Sequence, residues 1–168
     1  MSSKLKILDT TQIRQKLNRL AYQVYENNFD EKNLLVVGID GNGYKMASSL
    51  AEKLKEISDI KITLGKIKIN KDKPWDGQPK LDFEEKLFIN KTVILVDDVL
   101  NSGKTLIYAV KLFLDKPVKK LSTVVMVDRS HRRFPVKADY VGLTLNTTLQ
   151  DHIEADFSKK GSEAVYLT

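Results

Sequence analysis

The chain contains no cysteine, which excludes disulfide bonds and thiolate metal sites. Because this absence is typical of a reducing compartment, we expect a cytoplasmic location. The chain also lacks an apolar run long enough to cross a bilayer, and its opening residues, Met1 to Lys4, do not have the pattern of a signal peptide. We therefore expect no membrane partner.

Proline and glycine are scarce, with four and eight residues in a chain of 168. No repeat, low-complexity tract or linker divides the chain, and its length is sufficient for one hydrophobic core. We therefore expect a single domain over residues 1–168.

Acidic residues are fewer than basic ones, 22 against 28, so the net charge is +6. This balance favours an anionic partner. Charge alone leaves three interpretations open: a lysine-rich surface without a special partner, a substrate with several phosphates, and RNA.

Apolar runs bounded by turn residues mark the predicted strands. Three continuous runs indicate strands that are buried on both faces, at 34–39, 93–96 and 121–127. Residues 60–69 alternate, but the parity changes after Gly65, so we expect a bulge or bend there. Shorter strands are predicted at 138–143 and 164–167.

Helical spacing of apolar residues predicts three helices between these strands. The first begins at the N-cap Asp9 and ends at Asn27 or Asn28, the second contains Met46 to Ile57, and the third follows Gly103. The alternation of strands and helices predicts an α/β fold, a doubly wound parallel sheet flanked by helices.

The segment from Val93 to Thr105 joins a buried strand to two carboxylates and a turn of small polar residues. Val93 to Val96 run into Asp97 and Asp98, and Asn101 to Thr105 then open the third helix. In open α/β sheets, ligands bind at the carboxyl ends of the strands. The sequence therefore predicts a ligand site at this segment.

The residue types of this segment suit a phosphorylated sugar. Successive backbone N–H groups of a Ser- and Gly-containing turn converge on one point, and the helix N-terminus after it favours an anion. Ser102 and Thr105 add hydroxyl donors, and Lys104 adds charge. Asp97 and Asp98 only accept hydrogen bonds at neutral pH, so they suit sugar hydroxyls or a sugar-bound metal. Together these groups describe a site for ribose 5-phosphate.

The sequence matches two nucleotide-binding motifs in part but not in full. Gly103-Lys104-Thr105 looks like the end of a P-loop, but Asp98 stands where its first glycine belongs. Gly41-Asn42-Gly43 opens like a dinucleotide fingerprint, but Met46 replaces its third glycine. A helix N-cap alone does not need two acids followed by this turn.

The segment resembles the phosphoribosyl-diphosphate (PRPP) signature of type I phosphoribosyltransferases. Four hydrophobic residues, two acids, two more hydrophobic residues and a turn ending in Gly and Thr match it position by position. Within that family, the chain is similar to the bifunctional pyrimidine-operon attenuation regulators that also act as uracil phosphoribosyltransferases. This similarity is carried by Val127-Asp128-Arg129-Ser130-His131-Arg132, Pro135, Ala138-Asp139-Tyr140-Val141-Gly142, Ile13-Arg14, Leu17 and Arg19-Leu20-Ala21.

The resemblance implies transfer of ribose 5-phosphate from PRPP to a nucleobase, uracil or a related pyrimidine. Asp97 and Asp98 would be the catalytic pair at the ribose. The remaining implied sites are a 5-phosphate cradle of Val99, Leu100, Asn101, Ser102, Gly103, Lys104 and Thr105, a diphosphate-facing turn of Asp40, Gly41, Asn42 and Gly43, and a base pocket of Arg129, Ser130, His131 and Arg132.

The resemblance also implies a cofactor and an assembly. Mg²⁺ would arrive with the substrate, and Asp97 and Asp98 are its only candidate protein contacts. The sheet would carry a small hood, and the protein would form a homo-oligomer, a dimer or a tetramer. The long loop from Asn70 to Lys80 would be a lid that excludes water, and Trp75 could anchor this lid or pack on a partner subunit.

Two segments depart from the family pattern. The turn 40–43 carries Asp40 where the family carries a basic residue, and the lid contains lysines, Lys71 and Lys73, but no arginine. We expect Asp40 either to recruit a metal or to attenuate catalysis. Two other functions stay open: a nucleotide-sensing, RNA-binding regulator of pyrimidine genes with weak or no catalysis, and a purine-salvage transferase.

Overall fold

A six-stranded sheet forms the centre of the computed structural model, which describes residues 3–168. Its parallel strands are β2 (Asn33–Ile39), β3 (Lys61–Lys68), β5 (Thr92–Leu100), β6 (Lys120–Asp128) and β7 (Tyr140–Thr144), and the short β4 (Lys80–Leu81) runs antiparallel at one edge. The order across the sheet is β4-β3-β2-β5-β6-β7.

Helices cover both faces of this sheet. Helix α2 (Asn42–Ile57) joins β2 to β3, and α3 (Lys104–Leu114) joins β5 to β6 in the other direction. The strand order therefore reverses between β2 and β5, where a doubly wound sheet places its ligand crevice. The predicted fold class is confirmed.

Strand side chains alternate between two apolar cores. Leu34 and Val36 of β2 pack with α2 and with α1 (Thr10–Glu26), whereas Leu35 and Val37 lie in the core that contains α3. The α3 core also contains Phe88, whose ring meets that of Phe113 edge-on at 5.1 Å between centroids. Burial on both faces explains the continuous apolar runs in β2, β5 and β6.

Helix α1 begins with a capping box, as its sequence indicates. The Asp9 carboxylate accepts the N–H of Gln12 at 2.8 Å, and the Gln12 side chain accepts the N–H of Asp9 at 2.9 Å. The predicted start is therefore confirmed, whereas the helix ends at Glu26, with Asn27 as its C-cap, slightly before the predicted end at Asn27 or Asn28.

A second, three-stranded antiparallel sheet forms the hood. Its order is β1-β9-β8, with β1 at Leu5–Leu8, β8 at Ile153–Asp156 and β9 at Ala164–Leu167. Of these strands the sequence predicts only β9. The side chain of Asn42, at the start of α2, donates to the Ala155 carbonyl at 2.8 Å and accepts the Phe157 N–H at 3.3 Å. The hood is thereby attached to the carboxyl edge of the central sheet.

The expected bulge at Gly65 is wrong. Strand β3 pairs with β2 in unbroken register, with Gly65 opposite Val37. The apolar parity changes because the covered face changes: Ile62 lies in the α1–α2 core and Ile67 in the α3 core. Gly65 instead makes room for Phe83, because a Cβ at Gly65 would lie 2.5 Å from that ring.

The segment predicted as a loop over 70–80 ends one residue early. Lys80 begins β4 and pairs with Lys68, so the segment is the connection of a β3–β4 hairpin, residues 69–79. Two paired residues flanked by polar sequence give no alternation that could be recognised. None of the helices within residues 3–168 combines the length and the apolar character needed to cross a bilayer.

Candidate functional site

Asp97 and Asp98 lie in the second half of β5, beside a cavity at the carboxyl edge of the sheet. The cavity has a volume of about 180 Å³ and is lined by both acids, by the turn 101–105 and by Ile153 of the hood. Asp97 is only 5% exposed, whereas Asp98 is half-buried. The Asp97 carboxylate accepts the N–H of Asp98 at 2.9 Å.

Burial raises the pKa of the Asp97 carboxyl well above its usual value, and the neighbouring Asp98 raises it further. The ammonium of Lys71 opposes this shift. A buried acid of this kind is costly for folding, and such groups are concentrated at functional sites. Sugar hydroxyls or a cation at this carboxylate would replace the hydration that burial removes.

The turn 101–105 has the backbone that an anion cradle requires. Gly103 has φ +88°, so it is in the left-handed conformation that glycine tolerates best, and it is the N-cap of α3. The first N–H groups of α3 have no carbonyl partner within the helix. The Ser102 hydroxyl accepts the Lys104 N–H at 3.3 Å, and the Ser102 carbonyl accepts the N–H groups of Arg133 and Phe134. These contacts hold the turn in one shape.

The β3–β4 connection lies against the first turns of α3. Lys104 Nζ donates to the Asp72 carbonyl at 3.2 Å and lies 5.8 Å from the centroid of the Trp75 ring. Trp75 also contacts the Tyr108 ring, with centroids 6.4 Å apart. Lys71 lines the cavity next to the acids. In this conformation Trp75 contacts the chain's own helix, and Lys104 holds the connection.

The turn 40–43 approaches the acids from β2. A Cβ on Gly43 would lie 2.9 Å from Asp97 Oδ1, so only glycine fits at that point. Gly41 has φ +98°, another conformation that favours glycine. The Asp40 carboxylate accepts the Gly41 N–H at 3.0 Å and lies 3.7 Å from Lys66 Nζ of β3. The acid of this turn therefore has a basic neighbour.

Arg129 is a buried structural residue at the end of β6. Only 8% exposed, it donates through Nε to the Thr147 hydroxyl at 3.0 Å and through Nη1 to the Asn101 side chain at 3.1 Å. Its Nη2 donates to the carbonyls of Thr148 and Asp151. The guanidinium thereby joins the turn 101–105 to the segment before the hood.

The rest of the predicted base region surrounds a second cavity of about 560 Å³. Its lining residues are Asn101, Ser102, Arg129, His131, Arg132, Arg133, Thr147, Thr148 and Leu149. His131 Nε2 donates to the Thr147 carbonyl, which fixes the hydrogen on that nitrogen. Ser130 does not line this cavity. Its backbone has φ +62° and closes the turn.

Arg132 forms a two-pronged ion pair with Asp128, with both N–O distances at 2.7 Å. Hydrogen bonding by Arg132 lowers the pKa of the Asp128 carboxyl. Within residues 3–168, the guanidinium of Arg133 has no hydrogen-bond partner, so it is the arginine of this turn that is available to a ligand. The sequence assigns Arg129 and Arg132 to the pocket, but their donors are used mainly to hold its walls.

No group of three or more His, Cys, Asp or Glu side chains within residues 3–168 could hold a metal ion. The two carboxylates that line the cavity are those of Asp97 and Asp98. This donor set suits Mg²⁺, which is commonly bound by one or two carboxylates together with substrate phosphates.

The model of the phosphoribosyl transferase domain family matches residues 3–159. The chain belongs to this family. It is 32% identical over 173 residues to the bifunctional protein PyrR of Enterococcus faecalis, covering 98% of this chain and 97% of that protein. It is also 32% identical over 163 residues to the bifunctional protein PyrR of Caldicellulosiruptor bescii, covering 89% and 87%. The resemblance noted from the PRPP signature is confirmed.

Solved structures of the family share the fold. The hypoxanthine phosphoribosyltransferase of Trypanosoma cruzi matches with a TM-score of 0.79 and 17% identity, over 96% of this chain and 94% of that chain. A hypoxanthine-guanine phosphoribosyltransferase from Bacillus anthracis matches with a TM-score of 0.76 and 19% identity, over 99% and 98%. At these identities the likeness shows the fold alone.

The structure brings Asp97, Asp98 and all residues from Val99 to Thr105 to one cavity. Sequence reasoning missed Ile153 of the hood, whose contribution depends on tertiary folding. It also missed that Lys66 would lie next to Asp40. The signal for that contact is present in the sequence, because parallel pairing of β2 and β3 places Lys66 level with Gly38, two residues before Asp40.

Proposed function

We propose that the protein transfers ribose 5-phosphate from PRPP to a nucleobase and releases diphosphate. The observation that carries this proposal is the buried Asp97 beside Asp98 at the mouth of the turn 101–105. In a chain of the phosphoribosyl transferase domain family, this arrangement supplies sites for a phosphate and for vicinal hydroxyls side by side.

The 5-phosphate would lie against the turn 101–105. Free N–H groups at the start of α3 and the positive end of its dipole favour an anion at this point. The hydroxyls of Ser102 and Thr105 add donors. The Lys104 ammonium would contribute if it leaves the Asp72 carbonyl, an exposed contact of 3.2 Å.

Asp97 and Asp98 would accept hydrogen bonds from the ribose hydroxyls. As a ring nitrogen of the base replaces diphosphate at the anomeric carbon, positive charge develops on the ribose ring, as in glycoside hydrolysis. Two carboxylates near the ring stabilise that charge without moving. Mg²⁺ bound to the substrate would neutralise the departing diphosphate, with Asp97 and Asp98 as its candidate protein contacts.

The base would enter the second cavity, next to Asn101 and Ser102, which line both cavities. His131 carries its hydrogen on Nε2, so in the neutral ring Nδ1 is an acceptor. The similarity of the turn 128–132 to pyrimidine-specific relatives favours uracil or a related pyrimidine. The β3–β4 connection would close over the site and exclude water, which competes with the base for PRPP.

Product analysis with a panel of free bases tests this proposal. The protein is incubated with PRPP, Mg²⁺ and each base in turn, and diphosphate release and the nucleotide formed are measured. We expect release that depends on uracil and yields the corresponding monophosphate. Release with hypoxanthine or guanine but not with uracil would replace the pyrimidine assignment by purine salvage.

The second candidate is an RNA-binding regulator on the same fold. Relatives of this chain carry the name bifunctional protein PyrR, the net charge is +6, and Arg133 is available at the second cavity. If this candidate is right, a pyrimidine-operon leader transcript binds with an affinity that falls steeply as salt rises and responds to nucleoside monophosphate. Equal binding of an unrelated transcript would reject it.

The organisation of the protein is part of the same proposal. One domain spans residues 1–168, the protein acts in the cytoplasm, and it assembles as a dimer or a tetramer. Sedimentation analysis measures the assembly, and a monomer at micromolar concentration would contradict it.

A further inference from the structure

We propose that Lys66 supplies the positive charge for the diphosphate of PRPP that the turn 40–43 itself lacks. This inference rests on the proposed function and assigns a specific role to a residue outside the predicted site. Asp40 and Tyr44 would be its positioning residues.

The backbone of Lys66 is fixed near the turn. Lys66 pairs with Gly38 across β3 and β2, and the Asp40 N–H donates to the Ile67 carbonyl at 2.9 Å. On the other side of β3, the Asp82 carboxylate accepts the Lys66 N–H at 2.7 Å. The root of the side chain is therefore at the carboxyl edge of the sheet, next to the turn.

The ammonium of Lys66 is placed by two side chains. Lys66 Nζ lies 3.7 Å from Asp40 Oδ1 and 4.3 Å from the centroid of the Tyr44 ring. Tyr44 is in the first turn of α2. A cation over an aromatic face is attracted by the electrons of the ring. These two contacts hold Nζ above the turn, at the same sheet edge as Asp97, which Gly43 adjoins.

The ammonium nevertheless keeps its donors for a ligand. At 3.7 Å the contact with Asp40 is an ion pair beyond hydrogen-bonding distance, and within residues 3–168 Lys66 Nζ donates no hydrogen bond. The side chains of Lys66 and Asp40 are 36% and 42% exposed, and exposed pairs are easily opened. A diphosphate, with several acceptor oxygens, would compete well with one carboxylate.

On this proposal, Asp40 modulates the affinity for PRPP and does not abolish diphosphate binding. It neutralises Lys66 when PRPP is absent and partly opposes diphosphate when PRPP is bound. Removal of the Asp40 charge should therefore strengthen PRPP binding, and it should do so more while Lys66 is present, because Lys66 is then also released from its pairing with Asp40. This dependence separates the proposal from a general effect of net charge.

Calorimetry of PRPP binding, without and with Mg²⁺, tests the proposal. We expect Lys66→Gln to weaken metal-free PRPP binding about tenfold, the size of a lost charge-assisted hydrogen bond. Lys66→Arg should keep the affinity, since it keeps the charge. A nucleoside monophosphate, which has no diphosphate, should bind all variants equally. The matched control is Lys111→Gln, an exposed lysine in the last turn of α3, which should not change PRPP binding.

Two further variants examine the positioning residues. Asp40→Asn should tighten PRPP binding in the wild-type background by a larger factor than in Lys66→Gln. Tyr44→Leu should weaken PRPP binding without affecting the monophosphate, and Tyr44→Phe, which keeps the aromatic face, should retain it. Thermal unfolding of each variant checks that the fold is intact.

The outcomes separate this inference from the function on which it rests. Unchanged PRPP affinity in Lys66→Gln, with normal PRPP and monophosphate binding by the wild type, overturns the role of Lys66 alone. Equal weakening of PRPP and monophosphate also overturns it, because the effect would then not concern diphosphate. A wild-type protein that binds neither ligand overturns both proposals.

Discussion

Asp97 is the residue at which function and stability are opposed. Its carboxyl is buried between Gly43 and the backbone of β5, with a pKa raised first by burial and then by Asp98. Nothing in the folding of the sheet requires an acid at this position, because the preceding residues of β5, Leu95 and Val96, are apolar and buried on opposite faces. The ligand proposed to contact Asp97 would explain this acid.

Asp97→Asn should therefore stabilise the protein at neutral pH. The folded-state pKa is raised, so the folded protein loses stability as pH rises from the unfolded value, about 4, through the raised value. Asparagine carries no charge and still accepts the Asp98 N–H. We expect a higher Tm at pH 7, by about 2–4 °C for each kcal/mol added to the free energy of unfolding. This increase in Tm should become smaller towards pH 4.

Thermal unfolding from pH 4 to pH 8 measures this effect, with Asp98→Asn as the comparison because Asp98 is half-buried. A Tm of Asp97→Asn that is lower than the wild type at pH 7 would mean that the carboxylate stabilises the fold, and its assignment to a ligand would lose its main support.

At the scale of elements, the turn 101–105 depends on one backbone conformation. Gly103→Val should abolish binding of both PRPP and nucleoside monophosphates, because both carry the 5-phosphate. A branched residue is disfavoured at φ +88°, and a Cβ would lie 2.6 Å from Val136, so the turn must move.

Gly161→Val is the matched control for this change. Gly161 also has φ +88°, but a Cβ there would meet no atom within 4 Å, and it lies in the hood connection before β9. We expect similar backbone strain and normal nucleotide binding. Calorimetry decides the matter: wild-type affinity for a monophosphate in Gly103→Val would rule out the turn as the phosphate site.

The β3–β4 connection makes a separate prediction through Trp75, the only tryptophan of the chain. Tyr108→Leu removes the ring that contacts it, so Trp75 should become more accessible to a soluble fluorescence quencher. Tyr22→Leu, at an exposed position of α1, is the control and should have no effect. Equal quenching of wild type and Tyr108→Leu would show that the connection does not rest on α3 in solution.

The elements differ in how far the sequence predicts them. Strands β2 and β6 have continuous apolar runs because both faces are covered, and α1 has a capping box, so local sequence predicts them closely. Strand β5 is predicted only in part, because it continues through Asp97 and Asp98 to Leu100, beyond its apolar run 93–96. Strands β1 and β8 have four residues each and pair only within the hood. Their stability comes from partners distant in the chain, which local periodicity does not reveal.

The sequence predicts those parts of the site that lie close together in the chain. Asp97 to Thr105 are contiguous, so one motif identifies nearly the whole cavity wall. The contacts of Arg129 with Asn101 and Asp151, and of Lys66 with Asp40, join separate segments and require the folded chain. For this reason the sequence places Arg129 in a pocket as a binding group, whereas the structure gives its donors to the protein.

At the scale of the whole molecule, two sheets cooperate to form the site. The central sheet supplies the acids and the two turns, and the hood supplies Ile153 and closes one side of the cavity. Asn42 connects the two, because its backbone begins α2 and its side chain holds the strand that contains Ala155. The proposed ligand site therefore depends on both sheets.

The most direct test of the central claim is the rate of uracil-dependent diphosphate release from PRPP with saturating Mg²⁺, compared between the wild type and the Asp97→Asn/Asp98→Asn double variant. We predict release by the wild type and a loss of about two orders of magnitude or more in the double variant, as expected when groups that stabilise developing charge are removed. The double variant should remain folded in thermal unfolding. Equal rates in the two proteins, or no base-dependent release by the wild type, would contradict the proposed transfer reaction.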